Sequence, residues 1–330
     1  MPNPPAAFAH STVAPELAVP THAAGDRILP GILLMLAFCV LAPLLDVSSK
    51  LAAEGGIPVG QITAARFVVQ CALILPVAWL MRVPMRVSPR ALALSALRAA
   101  LLVFSTFAFV SGVAVMPLAD ALAIVFVEPF ILLILGYILF GEQVGPRRIV
   151  ACLVGFGGAL FVIQPSLTAF GLIALWPLAT AFSFAFYMLV TRELSKVMHP
   201  VAMQAHTSWI GVLISVPVLW FMQEGPIPAL HSVMPEGWQW LWLFGVGFWA
   251  AASHGCMTQA LAWAPAATLA PLHYFEIVIA VILGYLIFDD LPNEMTFTGI
   301  AIVVGSGLYI IYRERLTHRT QAKTALPPTL

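Results

Sequence analysis

The sequence is divided into ten long apolar runs, and this feature limits its fold more than any other. A transmembrane helix needs about 20 apolar residues, which is close to the length of each run. Only 9% of the residues are charged, whereas soluble domains carry about 25%. We therefore predict an all-α integral membrane protein, with ten transmembrane helices in the lipid bilayer at 29–51, 58–81, 91–115, 118–140, 147–164, 169–190, 201–222, 237–262, 266–288 and 296–312.

Lysine and arginine are distributed unevenly among the connections between these helices. If the N-terminus is cytoplasmic, the cytoplasmic segments hold every lysine and arginine except Lys50, Arg66 and Arg98, which lie within or at the ends of helices. The external loops hold acidic residues instead. Because positive charges that flank the helices set their orientation, the sequence predicts that both termini are cytoplasmic. In a bacterium, this orientation corresponds to the inner membrane, which is the location that we expect.

The sequence contains an internal repeat, in which residues 117–163 align without a gap to residues 265–311. Glu128 then matches Glu276, and a Leu-Gly-Tyr triplet recurs in the same register. Five helices per half is an odd number, so the second half must enter the membrane from the opposite side. Inverted repeats of this kind are characteristic of secondary transporters. We predict a flexible cytoplasmic tail, two inverted five-helix repeats and a second cytoplasmic tail at 1–28, 29–164, 169–313 and 314–330.

Two short motifs surround the start of the fifth predicted helix, and they read Leu139-Phe140-Gly141-Glu142-Gln143-Val144 and Gly155-Phe156-Gly157-Gly158. Together with the ten helices in two halves, they resemble the EamA-type branch of the drug/metabolite transporter superfamily. The resemblance covers about residues 30–312. The second half departs from the first motif, and in its place it has Asp289-Asp290-Leu291-Pro292.

The resemblance implies transport of a small-molecule metabolite. Because the sequence has no ATP-binding motif, we expect an ion or solute gradient to drive that transport. The chain also resembles the riboflavin importers of this superfamily, so we expect uptake of a riboflavin-like vitamin. Export of amino acids, related metabolites or drugs is the alternative. Whether the protein forms a homodimer is left open, and we expect neither a cofactor nor a nucleic-acid partner.

A membrane-embedded enzyme is the alternative from another class of protein. An acidic cluster, Asp289, Asp290 and Glu294, could hold a divalent cation in an external turn. However, no catalytic motif accompanies it. The four cysteines at 39, 71, 152 and 256 show no metal-binding spacing. We therefore expect neither enzymatic activity nor a bound metal.

Glu128 and Glu276 are the strongest candidates for a functional site. Each lies about 18 Å along its predicted helix from the proline that begins it, and so near the membrane midplane. An ionisable group at that depth costs about 2.5–3.5 kcal/mol, so each needs a partner or an aqueous path. His273 precedes Glu276 by three residues and shares its face. These groups either bind a substrate or proton, or link helices as neutral hydrogen-bonded acids.

Other ionisable residues lie in the first four predicted helices. Asp46 and Lys50 are four residues apart and share a helix face, so we predict that they form an ion pair that Arg66 could join. This group would contribute to a gate or substrate contact, or it would be a structural pair near the external interface. Arg98 is predicted to extend to the cytoplasmic surface, and Asp120 is predicted to lie at the outer interface.

Aromatic and small residues complete the set of candidates. Four aromatic side chains could stack on a planar substrate, and packing within the protein or against lipid is the alternative; they are Tyr187, Trp209, Trp249 and Tyr274. Small residues recur at four-residue intervals in the fifth predicted helix, and they are Ala151, Gly155 and Ala159. This spacing predicts a face suited to close packing against another helix.

Overall fold

The described part of the chain is helical, as the apolar runs predict. The computed structural model describes residues 28–140, 146–264, 269 and 272–324, and no strand occurs within these ranges. The α-helices are α1 (Ile28–Glu54), α2 (Val59–Leu80), α3 (Pro89–Val113), α4 (Leu118–Val125), α5 (Glu128–Phe140), α6 (Pro146–Phe170), α7 (Trp176–Leu194), α8 (Pro200–Met222), α9 (Gln239–Trp263), α10 (Phe275–Phe288) and α11 (Glu294–Thr324). Two short 3₁₀-helices, Gly171–Leu175 and Pro228–Leu230, precede α7 and α9.

The outer surface of the helices is strongly apolar. Six helical stretches are long and apolar enough to cross a membrane, among them α1 with a mean hydropathy of 2.6. Large hydrophobic side chains such as Trp79 and Trp220 are 80% and 81% exposed. Contiguous apolar surface on this scale is not stable in water and marks contact with lipid. The protein is therefore an integral membrane protein.

Helices that are far apart in the sequence form the main packing contacts. α1 packs against α9, α2 against α8, α3 against α7, and α6 against α11. Glycines allow several of these close approaches. A Cβ atom at Gly158 of α6 would lie 2.6 Å from the side chain of Ile302 in α11. Lipid provides little hydrophobic drive between helices, so such close van der Waals contact is a main source of their association.

The predicted helix 118–140 is broken near its middle. α4 ends at Val125, a turn follows at Phe126 and Val127, and α5 begins at Glu128. Pro129 provides the physical reason, because proline has no backbone N–H and fits the first turn of a helix better than its interior. The break therefore places Glu128 in the first turn of α5 rather than in the middle of a continuous helix.

Two predicted helix ends also differ from the structure. The helix predicted to end at residue 164 continues through Pro165 to Phe170. The chain leaves α6 at Gly171, whose φ of +67° suits glycine at a helix C-terminus. The last helix continues to Thr324, into the segment predicted as a tail from residue 314. A proline inside a membrane helix is tolerated because neighbouring groups satisfy the freed backbone carbonyl.

The glycines of α6 provide a matched test of this packing. We expect Gly158→Val to lower the melting temperature of the detergent-solubilised protein by several degrees, because the added side chain would overlap Ile302. Overpacking of this kind typically costs about 1–3 kcal/mol. Gly157→Val is the control, because nothing lies within 4 Å of a Cβ atom at Gly157. Equal melting temperatures for the two variants would contradict the described contact between α6 and α11.

Candidate functional site

A cavity of about 120 Å³ lies among the helices. Its wall is built from α1, α2, α3, α7, α9, the α4–α5 break and the start of α10. Five of the polar residues selected from the sequence line it, and they are Asp46, Arg66, Glu128, His273 and Glu276. Four phenylalanines contribute an apolar part of the wall, and they are Phe38, Phe109, Phe126 and Phe184. The cavity therefore combines charged groups with flat aromatic surface.

The two glutamates occupy similar local positions. Glu128 lies in the first turn of α5, directly after the turn at Phe126 and Val127. Glu276 lies in the first turn of α10, directly after a turn at Tyr274. The first turn of a helix has unpaired backbone N–H groups and the positive end of the helix dipole. Both breaks therefore place a carboxyl group in the first turn of a helix, at the positive end of its dipole.

His273 and Glu276 contact each other, as their spacing predicts. The His273 Nε2 atom lies 3.0 Å from Oε2 of Glu276. The imidazole also contacts two aromatic rings, with centroid distances of 5.3 Å to Phe38 and 5.4 Å to Phe126. The two rings hold the imidazole beside the carboxyl group, so a proton can pass between His273 and Glu276 without a large side-chain movement.

Arg66 is held at the cavity wall by two neutral partners. Its Nη1 atom donates to the Thr106 hydroxyl, and its Nη2 atom lies 2.9 Å from Nε2 of His254. A guanidinium can only donate, so the Nε2 atom of His254 must accept and the imidazole hydrogen must be on Nδ1. Sequence reasoning missed Thr106 and did not predict the contact of Arg66 with His254, because 188 residues separate His254 from Arg66 and no local spacing connects them.

The predicted ion pair between Asp46 and Lys50 is wrong. The Lys50 Nζ atom lies 2.5 Å from Oδ2 of Asp290 and 3.8 Å from Oε1 of Glu54, and it also donates to the Met116 carbonyl. Helical spacing placed Asp46 and Lys50 on one face. The tertiary fold, however, brings the turn between α10 and α11 within reach of the long lysine side chain.

Lys50 consequently belongs to a second pocket rather than to the central cavity. This pocket has a volume of about 490 Å³, and its wall includes Lys50, Glu54, Pro117 and Asp290. Asp290 was part of the acidic cluster considered for an enzyme, but it is paired with a lysine here. Asp120 is 6% exposed, so it lies inside the protein rather than on its surface.

The prediction that Arg98 extends to the cytoplasmic surface is also wrong. Arg98 is 1% exposed. Its Nε atom donates to the Thr191 hydroxyl at 2.8 Å, and its Nη2 atom donates to the Tyr187 hydroxyl at 2.5 Å. The guanidinium carbon also lies 4.4 Å from the centroid of the Tyr187 ring. The fold has buried both residues together, so Tyr187 serves as a partner for a buried cation.

The structure places none of the four predicted aromatic contacts at the cavity wall. Trp209 donates from Nε1 to Nδ1 of His206 at 3.1 Å. Trp249 packs edge-on against Phe248, and Tyr274 packs against Phe126 with centroids 5.4 Å apart. The aromatic wall is formed by phenylalanines, which sequence reasoning overlooked because they are common throughout the apolar runs. Residues 141–144 of the EamA-like motif lie outside the described ranges.

Comparison with known proteins now defines the class. The model of the EamA-like transporter family matches residues 29–164 and 171–313, so this chain belongs to that family. A riboflavin transporter of Rhizobium johnstonii is 29% identical over 65% of this chain and 68% of its own length. An S-adenosylmethionine uptake transporter of Rickettsia felis is 26% identical over 66% of this chain and 71% of its own length.

A solved structure agrees at the level of the fold. A crystal structure described only as that of a protein superposes with a TM-score of 0.62 at 16% identity. The match covers 87% of this chain and 99% of the other. At this identity the likeness shows the fold alone. The family, the apolar helices and the bacterial relatives together define a transporter of the bacterial inner membrane.

The contact between Lys50 and Asp290 can be tested by a double-mutant cycle. We expect Lys50→Met and Asp290→Asn each to lower the melting temperature in detergent, because each leaves a charged partner that is only 6% or 30% exposed. The destabilisation of the double variant should be smaller than the sum of the destabilisations of the two single variants. The coupling energy of residues in direct contact is about 0.5–3 kcal/mol.

Lys196 provides the matched control for this cycle. Its ion pair with Glu193 has a similar distance, 2.6 Å, but the two side chains are 59% and 39% exposed. Exposed pairs contribute about 0–1 kcal/mol, so Lys196→Met should change the melting temperature little. Strictly additive effects of the Lys50 and Asp290 substitutions would contradict the contact between these residues. Coupling between Lys50 and Asp46 would then support the ion pair predicted from the sequence.

Proposed function

We propose that this protein is a secondary transporter that takes up a riboflavin-like vitamin through the central cavity. One observation carries the proposal: Glu128 and Glu276 both line this cavity, and each lies in the first turn of a helix that follows a break. Acidic residues inside a membrane are costly and commonly mark the path of a substrate or proton. A pair of acidic residues at matching positions of two repeats is suited to a binding site that opens alternately to each side of the membrane.

The proposed architecture is ten transmembrane helices in two inverted five-helix repeats, with both termini in the cytoplasm. The family model supports it by matching twice along the chain. Helix pairing also supports it. A twofold axis that exchanges the repeats would exchange α1 with α7 and α3 with α9, so it would convert the α1–α9 contact into the observed α3–α7 contact. Contacts of α2 with α8 and of α6 with α11 would map onto themselves.

In this proposal the central residues form the path of the substrate and a coupling proton. Glu276 and His273 carry the proton, whereas Glu128, Asp46 and Arg66 contact the substrate. The cavity of about 120 Å³ is small beside ligand pockets of about 300–1,000 Å³. Helices around it must therefore separate when a vitamin-sized solute enters.

Lys50 has a different role in the proposal, as part of an external gate. It joins the end of α1 to the turn after α10, and these two segments belong to different proposed repeats. Rocking of one repeat against the other would separate Lys50 from Asp290. The ion pair would therefore stabilise the state in which the external side is closed.

Two relatives suggest different substrates, and the cavity helps to choose between them. Riboflavin has a flat, uncharged ring system that would stack on the phenylalanine wall. S-adenosylmethionine carries a sulfonium cation, which the three cavity carboxyl groups would attract. We favour riboflavin because its ring system is larger than adenine and could contact more of the aromatic wall. This wall is formed by Phe38, Phe109, Phe126 and Phe184. Export of amino acids remains the second candidate for the direction and class of transport.

Transport can be measured in membrane vesicles that contain the overproduced protein. We expect labelled riboflavin to accumulate, and a proton ionophore to abolish accumulation because the gradient drives it. Expression should also rescue a riboflavin auxotroph at low vitamin concentration. Labelled S-adenosylmethionine and preloaded amino acids serve as parallel substrates. Their movement without that of riboflavin, at equal protein level in the membrane, would refute the proposed substrate.

The two glutamates should be essential for this transport. We expect Glu128→Gln and Glu276→Gln each to reduce the rate of uptake by about tenfold or more, because a hydrogen bond to a charged group contributes about 1.5–3 kcal/mol. The amount of protein in the membrane should change much less. Glu224→Gln is the control, since Glu224 is exposed in the segment between α8 and α9. Wild-type rates in both cavity variants would remove these residues from the mechanism.

A further inference from the structure

Three buried polar atoms without a hydrogen-bond partner belong to residues of the same cavity. They are Nε of Arg66, Nδ1 of His254 and Oε1 of Glu128. The three residues are only 6%, 7% and 7% exposed. More than about 90% of buried polar groups in proteins have a partner, and an unsatisfied one costs about 1–3 kcal/mol. Three such atoms at one cavity indicate groups that a ligand completes.

The chemistry of the three atoms is defined by their neighbours. Arg66 Nε always carries a hydrogen, so it can only donate. His254 accepts from Arg66 at Nε2, which leaves the hydrogen on Nδ1 as a second donor. The Oε1 atom of an ionised Glu128 can only accept. The cavity therefore offers two donors, on α2 and α9, and one acceptor, on α5.

A complementary ligand has two acceptors and one donor on a rigid frame. We infer that Arg66, His254 and Glu128 recognise the imide edge of a planar heteroaromatic ring, in which an N–H group is flanked by two carbonyl groups. In this arrangement Glu128 accepts from the ring N–H, while Arg66 and His254 donate to the carbonyl oxygens. The inference rests on the proposed function, and it specifies which chemical group of the substrate these three residues recognise.

The remaining cavity residues fit a ring of this kind. Phe126 and Phe38 both contribute aromatic rings to the lining of the cavity. Phe126 is itself fixed by contacts with His273 and Tyr274, with both centroid distances at 5.4 Å. The isoalloxazine ring of riboflavin has an imide edge, with its N3–H between two carbonyls. Adenine has no such edge, because its corresponding groups are a ring nitrogen acceptor and an amino donor.

A methyl group on the imide nitrogen tests the inference directly. Lumiflavin and 3-methyllumiflavin share the ring system, but only lumiflavin can donate to Glu128. Binding to the purified full-length protein in detergent would be measured by quenching of flavin fluorescence. We expect the wild-type protein to bind lumiflavin at least about tenfold more tightly than the methylated compound, because the lost hydrogen bond involves a charged acceptor. Equal affinities would overturn the inference.

Variants of the three residues separate recognition from a structural role. In Glu128→Leu the ratio of the two affinities should fall to about one, whereas Glu128→Gln keeps an acceptor oxygen and should keep a ratio above one. Arg66→Met should weaken binding of both flavins and leave the ratio unchanged. A merely structural role for Glu128 would weaken both flavins equally, and an unchanged ratio in Glu128→Leu would overturn the inference. Glu224→Leu is the matched control and should leave both affinities unchanged.

The same materials distinguish the two proposals. If vesicles accumulate riboflavin but methylation has no effect on binding, the recognition of the imide edge fails and the proposed transport stands. If riboflavin is neither accumulated nor bound, both fail. Thermal unfolding of each variant in detergent confirms that it is folded before its affinity ratio is interpreted, and the Glu128→Gln variant provides the comparison if Glu128→Leu does not fold.

Discussion

Lipid makes an unpaired charge or an unpaired backbone group costly, and the structure depends on this constraint. The backbone satisfies itself by forming helices along nearly all of the described chain. Ionisable side chains within those helices turn away from lipid and toward the interior, where Asp46, Arg66, Arg98, Glu128 and Glu276 are all at least nine-tenths buried. The protein therefore concentrates its scarce polar groups in a few places, and those places are where function is expected.

Breaks in the helices determine what the central groups can do. A continuous helix would have presented Glu128 from its middle to a neighbouring helix. The turn before Glu128 instead places the carboxyl group at a helix start, and the turn at Tyr274 does the same for Glu276. The fold thus places two carboxyl groups at helix starts in one cavity, without a lysine or arginine in direct contact with Glu128 or Glu276 among the ion pairs described.

Lys50, Arg98 and Arg66 are surrounded by different partners in the fold. Lys50 pairs with Asp290 and closes a contact between α1 and the turn after α10. Arg98 is surrounded by hydroxyl groups and the ring of Tyr187. Arg66 keeps one free donor beside the cavity. The three cations therefore have different environments, because each meets a different set of neighbours.

The sequence by itself determined the helical fold and the membrane environment, and it was enough to select Glu128, Glu276 and His273 as candidate site residues. The length of the apolar runs, the small number of charged residues and the local spacing of residues are properties of the chain alone. It also determined membership of a transporter family through its motifs. Only the tertiary structure decided which residues meet across large separations, such as Lys50 with Asp290 and Arg66 with His254. The spacing of residues in a helix shows which residues share a face of that helix. A long side chain, however, can contact any helix that packs nearby, and the spacing does not show which one.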